Sequence, residues 1–220
     1  MEQLLNEVAE LRGKSEQYRD EISRLLGILS GVLEPRGSCF GKIFNNLTLT
    51  LELLSYYYSK WSRSSGNVSA QERDRIRREN GERCVMILRW LFIASLSSIE
   101  YSAKESVASY PKDSPVKNLV KVRKGQRVYL SDIMRKSKRS SLMDDDAYED
   151  WQNLIFLRNC IVHNNGFSDE NRSINMGGTT IAASVGKMIQ GKLDDFAILT
   201  EVAIDRYFTW VKVLIQEYGS

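Results

Sequence analysis

Proline is the residue that most limits a helix, and this chain of 220 residues has only three, Pro35, Pro111 and Pro115. Inside a helix a proline removes a backbone donor and clashes with the preceding turn, at a cost of about 3 kcal/mol. The long stretches without proline are therefore free to be helical, and their apolar residues are spaced to use that freedom. Leu4, Val8, Leu11, Ser15, Tyr18, Ile22, Leu25, Leu29 and Val32 advance by alternating steps of four and three. That is a heptad seam faulted only by Ser15. It predicts a first helix whose apolar edge pairs with another chain or folds back on its own core, the second being the expectation for an ordinary domain.

Pro35-Arg36-Gly37-Ser38 is read as the end of this segment, and a second helix is expected from about Gly41 to Trp61, with Tyr56, Tyr57 and Tyr58 near its end. Ser62 to Ser69 reads as a loop. Ser69 and Glu72 fit a capping box that starts a long helix reaching about Ser109. From Cys84 onward this helix is apolar on nearly every face, as a central core helix would be. Its apolar run, Cys84 to Ile99, is about one turn short of spanning a bilayer and contains Arg89 and three serines, so a buried core helix is expected.

After Pro111 and Pro115 the charge turns basic. The net charge is only +3, but residues 112 to 139 hold ten Lys or Arg against Asp113 and Asp132. Apolar residues such as Leu119, Val128, Leu130, Ile133 and Met134 interrupt the charges, which predicts one or two short helices docked on the body. Ser141 to Asp144 resembles another capping box. The acids at 144 to 146 suit the positive end of a helix dipole, and consecutive acids pointing in different directions fit a helix start better than a magnesium site. That helix should run from about Asp145 to His163, with Gly166 beyond its end. A small β-hairpin is expected near 178–190, turning at Ser184 to Gly186, and a last helix from about Leu193 to Tyr218. The fold class is all-α, a bundle of four or five long helices. Residues 1–75 form a helical extension packed on, or dimerising with, a core of residues 76–220.

Three separated cysteines, Cys39, Cys84 and Cys160, with no CxxC pair and a single histidine, exclude a Cys/His zinc site and a disulfide framework. Reduced thiols in a cytoplasmic protein are the expectation. Glu2, Glu7 and Glu10 among the first leucines do not read as a secretory leader. No cofactor and no membrane contact is expected.

The chemistry concentrates in Arg158-Asn159-Cys160-Ile161-Val162-His163, followed by Asn164-Asn165-Gly166. His163 is the only histidine, and imidazole is the side chain that carries protons near neutral pH. An arginine presents a fork that matches a phosphate. Together they suit attack of a ribose 2′-OH on its neighbouring phosphate, with His163 moving the proton, Arg158 neutralising the developing charge and Asn159 orienting the imidazole or the phosphate. Asn159 and His163 share a helix face, whereas Arg158 and His163 diverge by about 140° on an ideal helix. They meet on one phosphate if the helix end unwinds near Asn164, or if a second copy of the chain supplies one of them. The bland alternative is a histidine at a helix C-terminus, where cations are favoured anyway.

This stretch resembles the signature of the HEPN superfamily, an Arg followed by a polar residue and, four to six residues on, a His. The setting is similar too: an acidic helix start, the motif at the helix end, a glycine-bearing turn and a final helix. The helix ending Ile99-Glu100-Tyr101-Ser102-Ala103-Lys104 also looks like that family's second core helix, so the likeness spans roughly residues 80 to 218. The resemblance implies a homodimeric helical domain with metal-independent endoribonuclease activity that leaves 2′,3′-cyclic phosphate ends, in a bacterial toxin or phage-defence (abortive infection) role. It carries over Arg158, Asn159 and His163 as catalytic residues. RNA is the implied partner, and a cognate antitoxin or regulatory protein a further one. Lys117, Lys121, Arg123, Lys124, Arg127, Arg135, Lys136, Lys138 and Arg139, with Asn164, are candidate RNA contacts, weighed evenly against a solvated charged face. The alternative is a non-catalytic dimeric module of the same type that binds RNA, a nucleotide or a protein.

Overall fold

The computed structural model describes every residue except 29–33, 65–67, 124, 190, 193 and 220. In order the elements are α1 (Glu2–Leu25), α2 (Pro35–Ser64), α3 (Ala70–Ala108), a 3-10 turn (Pro115–Val120), α4 (Leu130–Arg139), α5 (Asp145–His163), β1 (Arg172–Met176), β2 (Thr179–Ala183) and α6 (Asp195–Tyr218). The protein is all-α with one small antiparallel hairpin.

The heptad seam is used inside the chain as far as Ile22; Leu25, the last residue of α1, is 41% exposed, and Leu29 and Val32 lie outside the described residues. Leu4, Val8, Leu11 and Ile22 are buried as α1 packs on α2 and α6. Ser15 is tolerated in the seam because its hydroxyl donates to the Leu11 carbonyl at 3.0 Å. Ion pairs flank the apolar contact. Lys14 reaches Glu201 at 2.8 Å and Asp205 at 2.7 Å, Tyr18 donates to Asp205 at 3.0 Å, and the Tyr18 ring stacks on Phe208 with centroids 3.8 Å apart. Burial, then the Asp205 carboxylate, push the Tyr18 hydroxyl up to about 12. Burial pulls Lys14 down, but its bonds to Asp205 and Glu201 outweigh that and hold it above the usual lysine range. Both folded values are raised, so their stabilisation is complete below the unfolded values of 10.0 and 10.5 and is lost as pH rises through the folded ones. Melting curves of the natural chain and an Asp205→Asn variant should therefore differ in full up to about pH 9 and draw together above pH 10, as Tyr18 ionises beside Asp205.

Two features of the helices depart from the sequence expectation. Pro35 opens α2 where it was expected to close the preceding segment. Proline suits a first helical position, where its missing N–H would have no partner. Glu34 takes the cap, accepting from the backbone N–H of Arg36 at 2.7 Å and of Gly37 at 3.3 Å. The apolar half of α3 is also not covered all round. Cys84, Leu88, Leu91, Phe92, Ser95, Leu96 and Ile99 are buried, but Met86 is 69% and Trp90 41% exposed. By length and composition α3 is the one described helix able to cross a membrane; here it lies at the centre of the bundle, against α2, α4, α5 and α6.

The hairpin is displaced from the expected 178–190. Its strands pair Arg172 with Ala183 through Met176 with Thr179, and the turn is Gly177-Gly178, not Ser184 to Gly186. Both glycines have positive φ, +59° and +80°, as the primed hairpin turns require. Ile174, Met176, Ile181 and Ala183 face inward. A Cβ on Gly177 would fall 2.6 Å from Ile198 Cγ2 and 2.9 Å from Val202 Cγ2 on α6. Gly177→Ala should therefore combine backbone strain with overpacking and cost about 1–3 kcal/mol, read as a lowered melting temperature. The neighbouring Gly178→Ala, with open space around it, bears only the strain and should cost less.

Candidate active site

α5 is placed by its ends and its buried face. Asp144 caps the start, its Oδ1 accepting the Ala147 N–H at 2.7 Å. Trp151, Leu154, Leu157 and Cys160 are buried. The helix closes over Asn165 and Gly166, both at positive φ, with the Gly166 N–H donating to the Cys160 carbonyl at 2.8 Å. The Ile189 N–H then donates to the Gly166 carbonyl at 2.7 Å, which ties the end of α5 to the segment before α6.

Beside this end lies a cleft of about 330 Å³. Arg158, Asn159 and His163 line it along with Ile155 of the same helix. Ile155 and Asn159 fall between Arg158 and His163 in angle, so the cleft spans the whole arc of about 140°. A single chain thus brings both side chains to one space without unwinding α5. Opposite α5 stand Leu96 and Glu100 of α3 and Tyr129, Leu130 and Ser131 at the start of α4. The N-terminal end of a helix favours anions, and here it borders the same cleft as the arginine, with its own Asp132 carboxylate already accepting the Tyr129 N–H at 3.3 Å. Asn164 and Asp169 close the remaining side.

The polar contacts centre on Arg158, which is partly exposed. Its Nη2 lies 3.7 Å from Glu100 Oε2, and its Nη1 donates to Asn159 Oδ1 at 3.4 Å. Glu100 in turn holds Lys104 at 2.8 Å. Asn159 is oriented toward the guanidinium, not toward the imidazole. His163 is exposed, with no hydrogen-bond partner among the described residues. Beneath the motif, burial first and then the Asp169 carboxylate push the Cys160 thiol up, so it is protonated and unreactive near neutral pH. Among the described residues no three His, Cys, Asp or Glu side chains gather as a metal site.

Glu100 and Lys104 were not read as site residues from sequence. They stand far from Arg158 in the chain, and only the packing of α3 against α5 brings them to it.

The basic residues divide into two groups. Four have structural partners. Lys117 donates to the Ala108 carbonyl at the end of α3 at 2.7 Å, and Lys136 donates to the Lys121 carbonyl. Arg135 pairs with Asp132 at 2.7 Å and Lys138 with Asp145 at 2.6 Å. Lys121, Arg123, Arg127 and Arg139 are exposed without an ion-pair partner among the described residues. Lys121, Arg123 and Arg127 line a second groove of about 560 Å³, together with Tyr129, Arg135 and Lys136. Arg139 lies in neither hollow, and Lys124 falls outside the described residues. Of the tyrosines at the end of α2, Tyr56 and Tyr57 pack edge to face at 5.2 Å, and neither reaches the cleft.

No family model, curated protein or solved structure matches the chain.

Proposed function

We propose that the protein is a metal-independent RNA endonuclease of HEPN type that works as a homodimer. The observation that carries this reading is the convergence of Arg158, Asn159 and His163 on one cleft bordered by the N-terminal end of α4. A phosphate there meets a guanidinium fork and helix N–H groups, and an exposed imidazole is on hand for the 2′-OH proton or the leaving 5′-oxygen. The dimer is supported by the apolar surface around the same helix end. Val162 is 41%, Phe167 43% and Met188 46% exposed, and Phe167 and Met188 are bridged neighbours. A second copy seated there would cover them and enclose both clefts. A toxin or phage-defence role, in the cytoplasm and under an antitoxin or other regulatory protein, follows from the resemblance of the motif.

One observation favours a binding module without chemistry. Arg158 already faces the Glu100 carboxylate, and a guanidinium held by a carboxylate is less available to a phosphate. Incubating the purified chain with cellular RNA in EDTA separates the two readings. Cleavage with 2′,3′-cyclic phosphate ends supports the nuclease, and binding without cleavage at any concentration supports the module.

A further inference from the structure

The catalytic cleft and the basic groove share one residue. Tyr129, the residue before α4, lines both the hollow of Arg158, Asn159 and His163 and the hollow of Lys121, Arg123 and Arg127. It is 56% exposed, and its ring has no aromatic or cationic partner among the described residues. An aromatic ring left open to solvent at the junction of the two hollows is not explained by packing. Its position is held by the backbone: the Tyr129 N–H donates to Asp132 Oδ2 at 3.3 Å, and its carbonyl begins the hydrogen bonding of α4.

We propose that Tyr129 is a stacking platform for a nucleobase next to the scissile phosphate, and that the substrate is unpaired RNA running from the basic groove across Tyr129 into the cleft. This rests on the ribonuclease reading. The face of a base is open to a protein ring only where the base has left its own stack. The chemistry makes the same demand. Attack by a 2′-OH needs the attacking oxygen, the phosphorus and the leaving 5′-oxygen in line, and the A-form backbone of a duplex does not offer that arrangement. An unpaired nucleotide turned onto Tyr129 meets both conditions, while the cations of the groove hold the adjoining backbone without reading sequence.

The test uses a short single-stranded RNA carrying the fluorescent base 2-aminopurine, which dims on stacking, with full-length protein bearing His163→Ala so that the RNA stays intact. The expected result is quenching on binding, retained in Tyr129→Phe. In Tyr129→Ala the quenching should vanish and affinity should fall about 5- to 150-fold, the range for losing one base–aromatic stack. The same sequence in a full duplex should bind at least about tenfold more weakly and without quenching. Since the side chain is exposed, Tyr129→Ala should melt with the parent. Equal affinity and quenching in Tyr129→Ala, or equal binding of the duplex, overturns the proposal. Cleavage by protein with His163 intact is measured in parallel. Cleavage unaffected by Tyr129→Ala leaves the nuclease standing and removes the platform. Quenching without cleavage keeps the platform and removes the nuclease. Absence of RNA binding removes both.

Discussion

His163→Ala is expected to reduce RNA cleavage in EDTA by about a hundredfold to ten-thousandfold, the usual contribution of a positioned proton carrier. The side chain is exposed and has no hydrogen-bond partner among the described residues, so its removal should leave the melting temperature unchanged and isolate the chemical effect. Arg158→Ala should cost about as much as losing one transition-state donor, roughly a hundredfold to a thousandfold, and should also weaken RNA binding. Glu100 would still hold Lys104 at 2.8 Å, so the loss of Arg158 does not strand a lone carboxylate. Arg158→Lys keeps the charge and loses the fork, and should fall between the two. In combination the substitutions should cost far less than the product of their separate effects, because both act on one phosphate. Cleavage by His163→Ala at the rate of the natural chain would end the proposed role of that residue.

The parts of this fold that were legible were those set by local rules. The bounds of α5 follow from an acid run that suits only a helix start and a glycine that suits only its end. Asp144 is the cap, not Ser141, because its carboxylate reaches the Ala147 N–H. The hairpin falls elsewhere than expected because both Gly177-Gly178 and the stretch Ser184 to Gly186 carry turn residues. The choice of Gly177-Gly178 is made by α6, whose Ile198 and Val202 leave no room for a side chain at Gly177. The exposed strip of α3 at Met86 and Trp90 could not be read, since an apolar residue carries no mark of whether a neighbour covers it.

The site divides in the same way. Arg158, Asn159 and His163 are visible as residue types at a spacing. The cleft that joins them across 140° of helix surface depends on where α3 and α4 pack. Helix angles alone place Arg158 and His163 about 140° apart, so that they meet only if the helix end unwinds or a second copy takes part. A hollow between three helices is wider than a face of one, and that removes the condition. Glu100 and Tyr129 reach the site only through packing.

α4 forms one wall of that cleft, and its anchor yields the largest stability effect expected. Trp210 of α6 is 2% exposed, donates from Nε1 to the Ser137 hydroxyl at 3.0 Å, and lies against Tyr207 with ring centroids 5.8 Å apart. Trp210→Ala removes the ring and leaves a cavity under α4, at a cost of about 3–5 kcal/mol. For a chain of this size that lowers the melting temperature by roughly 6–20 °C. Trp210→Phe keeps most of the apolar area but leaves the buried Ser137 hydroxyl without its donor, which costs about 1–3 kcal/mol. The two variants should also differ from the active-site substitutions in kind. With Arg158 and His163 intact, loosening α4 displaces Tyr129, Leu130 and Ser131 from the cleft, so cleavage should fall together with hydrogen-exchange protection of residues 130–139, ahead of protection in α5. A Trp210→Ala protein that melts within about 1 kcal/mol of the natural chain, a cost typical of an ordinary substitution, would show that α4 is held by its own apolar face, Ile133 and Met134, and not by α6.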